Sequence, residues 1–110
     1  MKINYVELPA VDLEAMQAFY GKAFGWSFES WGADYMAFAD AGLDGGFRRV
    51  DEPAPKGGAL VVLYAEDLAA AEAAVTAAGG KVVEREEFPG GRRFLFTDPS
   101  DNELAVWTKD

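Results

Sequence analysis

Two side chains able to do chemistry stand two residues apart near the start of the chain. Ile3 to Leu8 alternates as a strand, with Ile3, Tyr5 and Glu7 on one face and Asn4, Val6 and Leu8 on the other. Glu7 could act there as a general base or hydrogen-bond acceptor for a bound molecule, its pKa raised by burial. It reads first, though, as the ion-pair partner of an arginine such as Arg49 or Arg93, which leaves Tyr5 as a wall residue. A second group lies in Asp98–Trp107, DPSDNELAVW. Pro99-Ser100 and Asp101-Asn102 make a tight turn, and Glu103, Ala105 and Trp107 then alternate with Leu104 and Val106. Trp31 and Trp107 read either as core or as surfaces on which a ligand stacks. Arg92-Arg93 reads as a solvated loop before it reads as an anion clamp.

What is missing narrows the chemistry further. The 110 residues contain no histidine and no cysteine. That removes the commonest general base near neutral pH and the commonest ligands of zinc, nickel and ferrous iron. It also removes any disulfide framework. The net charge of −9 argues against nucleic acid and anionic membranes as partners. With 50% hydrophobic residues, a packed core is feasible and disorder is not expected. No apolar run reaches the roughly 20 residues of a membrane span, and because Met1-Lys2-Ile3-Asn4 runs straight into a strand pattern, no signal peptide is expected. A cytoplasmic protein is the expectation.

The elements that must position these residues repeat. After the first strand, which Pro9 and Ala10 end, Asp12 caps a helix over Leu13–Phe24, and Gly25 stops it. Strands follow at Trp26–Ser30, Asp34–Asp40 and Gly45–Val50. Residues 51–58, DEPAPKGG, form a linker. Then come a strand at Ala59–Ala65, a helix from Leu68 to Ala78 and strands at Lys81–Glu84, Arg93–Thr97 and Glu103–Thr108. Glu86–Gly91 is expected to be a mobile loop. An offset of 55 places Asp12 on Asp67, Leu13 on Leu68 and Gly25 on Gly80, and an offset of 58 places Asp40 on Asp98. The chain therefore reads as one domain of two βαβββ modules, 1–50 and 59–110.

In this order and spacing the sequence resembles the vicinal oxygen chelate superfamily, which includes glyoxalase I, bleomycin-resistance proteins and extradiol dioxygenases. The carriers are Ile3–Pro9, Asp12-Leu13, Ala18-Phe19-Tyr20 leading to Phe24-Gly25-Trp26, then Asp67-Leu68, Gly79-Gly80 and Asp98–Asn102 before Leu104–Trp107. The resemblance implies an α+β fold in which two tandem modules form a curled mixed sheet or half-barrel around a cleft, commonly in a homodimer. It also implies metal-ligand positions on the first and last strand of each module. Counted from the helix and turn acids, these are Tyr5, Leu60, Phe47 and Ala105. Leu60, Phe47 and Ala105 have no donor, and a neutral phenol is a poor one. The subgroup it looks like is therefore the glyoxalase-like one that lacks the metal ligands, with no metal and no cofactor. The expected function is binding of a small hydrophobic or aromatic molecule by Tyr5, Glu7, Trp31, Phe47, Arg49, Leu60, Ala105 and Trp107. One alternative is a lyase or isomerase with Glu7 as base; another is an interaction module without a small ligand.

Overall fold

Each module begins with an acid that starts its helix. Asp12 accepts the Ala15 N–H at 3.1 Å and opens α1 (Leu13–Phe24), while Asp67 accepts the Ala70 N–H at 3.0 Å and opens α2 (Leu68–Ala77). Gly25 ends α1 at φ +73°, a conformation that costs glycine nothing sterically. The computed structural model describes residues 1–110. No helix in it is long and apolar enough to cross a membrane.

The strands form two four-stranded sheets. The first holds β1 (Tyr5–Ala10), β2 (Ser27–Ser30), β3 (Tyr35–Ala39) and β4 (Asp44–Arg49), in the order β1-β4-β3-β2. The second holds β5 (Val61–Tyr64), β6 (Lys81–Phe88), β7 (Gly91–Thr97) and β8 (Glu103–Lys109), in the order β5-β8-β7-β6. In each sheet the first and last strands pair in parallel and the other pairs are antiparallel. This is the duplicated α+β arrangement expected from the repeat. The sheets do not close into a barrel; each remains a separate four-stranded unit.

Two of the departures from the expected boundaries bear on the open sheet faces. Pro9 does not end β1: it pairs with Arg48, and the strand runs on to Ala10. β1 is an edge strand, where a residue without an N–H is tolerated. Glu86–Gly91 is not a loop either. Glu86, Glu87 and Phe88 pair with Arg93, Arg92 and Gly91, so only Pro89-Gly90 turns the hairpin. Gly90 takes φ +99°, and at Gly91 a Cβ would overlap the Thr108 carbonyl.

Both sheets turn one face into the same core. From the first sheet come Met36, Phe38 and Phe47; from the second come Phe94, Phe96, Leu104 and Val106. Between them lie Met16, Phe19 and Tyr20 of α1 and Val75 of α2. The Phe19 ring lies 6.0 Å from that of Phe96, and Tyr20 stacks on Trp26 at 4.6 Å. A Cβ at Gly80 would stand 2.7 Å from Val75 and 2.8 Å from Phe19, so glycine there lets α1 approach the end of α2. Because both sheets give one face to a shared core, their other faces are directed outward. One chain cannot fold its two outer faces onto each other.

Candidate functional site on the two open sheet faces

Strand alternation and register assign the residues of the open faces. On the first sheet, Tyr5 pairs with Asp44, Glu7 with Gly46, Gly46 with Ala37 and Arg48 with Tyr35. On the second, Val62 pairs with Ala105, Ala105 with Leu95, Tyr64 with Trp107 and Trp107 with Arg93. Partners across a ladder project to the same side. Tyr5, Glu7, Tyr35 and Arg48 therefore share one open face, and Val62, Tyr64, Arg93 and Trp107 share the other.

Phe47 is not on an open face. It is 0% exposed, with its ring 5.3 Å from Tyr20 and 5.1 Å from Phe38. The turn before β4 is one residue shorter than a constant offset of 58 assumes. Glu7 and Val62 correspond at 55 residues, and their ladder partners are Gly46 and Ala105, which are 59 apart. The open-face position on β4 is thus Gly46. Arg49 is likewise misplaced by the sequence reading. It lies beside Arg48 on the opposite side of the strand and pairs with Asp51 at 3.2 Å. The partner of Glu7 is Arg48, at 3.2 Å, while Arg93 pairs with Glu86 at 2.7 Å.

The first face carries a chain of polar groups. The Tyr5 and Tyr35 hydroxyls are 2.6 Å apart, and on the same face the Glu7 carboxylate holds Arg48, the ladder partner of Tyr35. Partial burial first, then the hydrogen bond to Tyr5 and the nearby Glu7 carboxylate, raise the Tyr35 pKa well above that of an ordinary phenol. A Cβ at Gly46 would overlap the Tyr35 ring, so glycine lets that ring lie across β4. Tyr5, Tyr35 and the 67% exposed Trp31 line a pocket of about 420 Å³ with Phe28, Glu29 and Asp44.

The second face is aromatic. Tyr64 meets Trp107 edge-on at 5.0 Å, and Phe88 lies 6.3 Å from Trp107 at 44°. Ala105 sits beside this corner and is fully buried. Leu60 stands just before β5 and, with Glu7 and Pro9, lines a separate pocket of about 380 Å³ under residues 54–59. The sequence reading missed Tyr35, Arg48, Tyr64 and Phe88. Tyr35-Ala37-Ala39 and Val62-Tyr64 carry the alternation that could have found two of them. Phe88 was hidden by the loop-like composition of EEFPGG, and Arg48 by the one-residue turn difference.

The metal positions implied by the resemblance can be tested against these residues. The first and last strands offer Tyr5, Glu7, Asp44 and Gly46 on one face and Val62, Glu103 and Ala105 on the other. No three histidine, cysteine or carboxylate side chains converge anywhere in the chain. The one carboxylate at a central position, Glu7, is held by Arg48. A divalent ion needs three or more donors in fixed geometry, and these residues do not fit one.

Two βαβββ units, each opened by a capped acid and closed by a parallel pair of first and last strands, define the vicinal oxygen chelate class of protein. Residues 5–107 match the glyoxalase-like domain, and the chain belongs to that family. It is 35% identical to a glyoxylase-like domain-containing protein of Didymella fabae, over 73% of this chain and 70% of that one. Among solved structures it is similar to the fosfomycin resistance protein FosX of Listeria monocytogenes, with a TM-score of 0.85 at 16% identity, over 100% of this chain and 94% of that one. It is also similar to TnmS3, an antibiotic binding protein from Streptomyces sp. CB03234, with a TM-score of 0.73 at 23% identity, over 100% and 97% of the two chains.

Proposed function

We propose that this chain binds a small hydrophobic or aromatic molecule, without a bound divalent metal, in a cleft completed by a second copy of itself. The observation that carries the reading is the pair of outward faces, one aromatic around Trp107 and one phenolic around Tyr35. Each is open in the single chain, and the shared core keeps them from closing on each other. In a twofold dimer, the first face of one copy can oppose the second face of the other, making two equivalent clefts. Tyr64, Trp107 and Phe88 would supply apolar contact, and Tyr5 and Tyr35 hydrogen bonding. The edges of β1 and β5 are unpaired along one side. An apolar groove of about 450 Å³ runs between these strands, with Val6, Leu8, Val61 and Leu63 in its walls, and is suited to burial in such a dimer. The alternative with Glu7 as general base has less support, because that carboxylate is already engaged by Arg48.

Complementation tests the shared cleft. A variant with Trp107→Ala damages one face and a variant with Tyr35→Ala the other. Each alone should lose binding of a hydrophobic dye. Dissociated and re-formed together, half the dimers pair unlike chains and one cleft in two is intact in each, so roughly a quarter of the clefts should return. No recovery in a mixture verified to contain unlike dimers would overturn the shared-cleft reading. Sedimentation should give about twice the 11.9 kDa chain mass. Elemental analysis after mild dialysis should find well below one equivalent of zinc, nickel, manganese or iron. Near one equivalent, required for binding or activity, would sink the metal-free reading.

A further inference from the structure

We propose that the pocket bounded by Tyr5, Tyr35 and Trp31 receives a substituted ammonium group, so that the ligand of the cleft is an organic cation. This rests on the reading that the open faces bind a small molecule and adds the charge that molecule carries. The pocket of about 420 Å³ lies on the open face of the first sheet. Its walls are aromatic, and its ionisable side chains besides the phenols are Glu29 and Asp44. No lysine or arginine lines it. Glu29 projects onto this face opposite Ala37, and Asp44 opposite Tyr5. Neither carboxylate forms an ion pair within the chain. The nearest cation along the ladder, Arg48, is already held by Glu7.

Charge decides which ligand suits such a pocket. A carboxylate or phosphate would meet two unpaired carboxylates and find no cationic partner. An ammonium group gains from both carboxylates and from the negative faces of the rings. Its alkyl or aryl substituents can remain in contact with the aromatic walls, which a hydrated metal ion cannot do. The pocket is also pre-organised. The 2.6 Å contact between hydroxyls ties Tyr35 to Tyr5, and the missing side chain at Gly46 gives the Tyr35 ring its place. Gly46 is thus a positioning residue for the cation site.

Three probes of similar size and different charge provide the test: benzyltrimethylammonium, benzyl alcohol and phenylacetate, each titrated into the ¹⁵N-labelled full chain. The cation should saturate, move the amides of Tyr5, Glu29, Tyr35 and Asp44 and the Trp31 indole, and bind about tenfold more tightly than the alcohol. Phenylacetate should leave these signals in place. The double variant Glu29→Gln, Asp44→Asn should reduce the cation-to-alcohol preference below about twofold. Gly46→Ala should also lower cation affinity while Tyr35 loses its contact with Tyr5, read as a shifted Tyr35 ring resonance. Equal binding of cation and phenylacetate overturns the assignment. So do an unchanged preference in the double variant and unsaturable shifts scattered over the acidic surface. If the alcohol saturates this face and the cation gains nothing, only the charge assignment fails. If no probe moves either open face, the binding reading fails and takes this proposal with it.

Discussion

Asp98 ties the two modules together through a buried hydrogen-bond network. One carboxylate oxygen accepts the Ser100 and Asn102 N–H groups at 2.8 and 3.0 Å. The other accepts the Tyr20 hydroxyl at 2.8 Å and the Asn102 side-chain amide at 2.9 Å. The same turn reaches the first module twice more. The Asn102 amide donates to the Pro9 carbonyl, and the Ser100 hydroxyl accepts the Val11 N–H, both at 2.8 Å. Asp98→Asn puts an amide among four donors, so at least one buried donor loses its acceptor. The expected cost is about 1–3 kcal/mol, measured by urea unfolding. Burial raises the Asp98 pKa from its ordinary 3.8, against the lowering pull of its donors, Asn102 first. The folded chain then holds the proton at a pH where the unfolded chain has released it. This contribution to stability is complete below the unfolded value and is lost as pH rises through the folded one. The gap in urea midpoint between wild type and Asp98→Asn should therefore widen on acidification. A gap that narrows would contradict the raised pKa. Tyr20 shifts in the same direction for related reasons: burial first, then the neighbouring Asp98 charge.

Among the elements, the hairpin of β6 and β7 departs furthest from its local sequence. EEFPGG has the composition of a loop, yet the ladder continues to the Phe88–Gly91 pair. Arg93 pairs with Glu86 at 2.7 Å across it, and Phe88 reaches the Trp107 ring on β8. A register shift between Val82 and Glu84 bends β6 on the way. The ladder-bonded amides of Glu86–Phe88 should exchange with solvent as slowly as those in the middle of β6. Exchange at unprotected-loop rates would restore the mobile loop read from composition. Salt bridges on this surface should matter little. Arg85 meets Glu72 through two hydrogen bonds of 2.9 and 2.7 Å, which lower the Glu72 pKa, but the arginine is largely exposed.

Over the whole molecule, the shared core makes the two modules one folding unit. Phe96 is fully buried and touches Phe19 and Phe24 of α1 from the second sheet. Phe96→Ala should cost about 3–5 kcal/mol. Because the ring belongs to both halves, Trp26 in the first half and Trp107 in the second should still report one coincident unfolding transition, at lower urea. Two separated transitions would mean that the modules are energetically independent.

Much of this was legible in the chain itself. Asp12 and Asp67, the glycine after α1 and the apolar spacing of Met16, Phe19 and Tyr20 encode the repeat locally, because caps and periodicity depend on neighbours within one or two turns. The family resemblance rests on the same local signals. Strand registers are different in kind. A slip of one residue reverses which face a side chain occupies. The turn before β4 differs from its counterpart by one residue, and that alone puts Gly46 rather than Phe47 beside Glu7. Arg48, not Arg49, becomes the Glu7 partner for the same reason. No local pattern records that Tyr35 reaches Tyr5 over a glycine, since the two hydroxyls are brought together by β4 lying between their strands. Nor does one record that both sheets face inward on one core and leave two separate faces outward. Those arrangements come from packing between elements distant in sequence, and they decide what the open faces can hold.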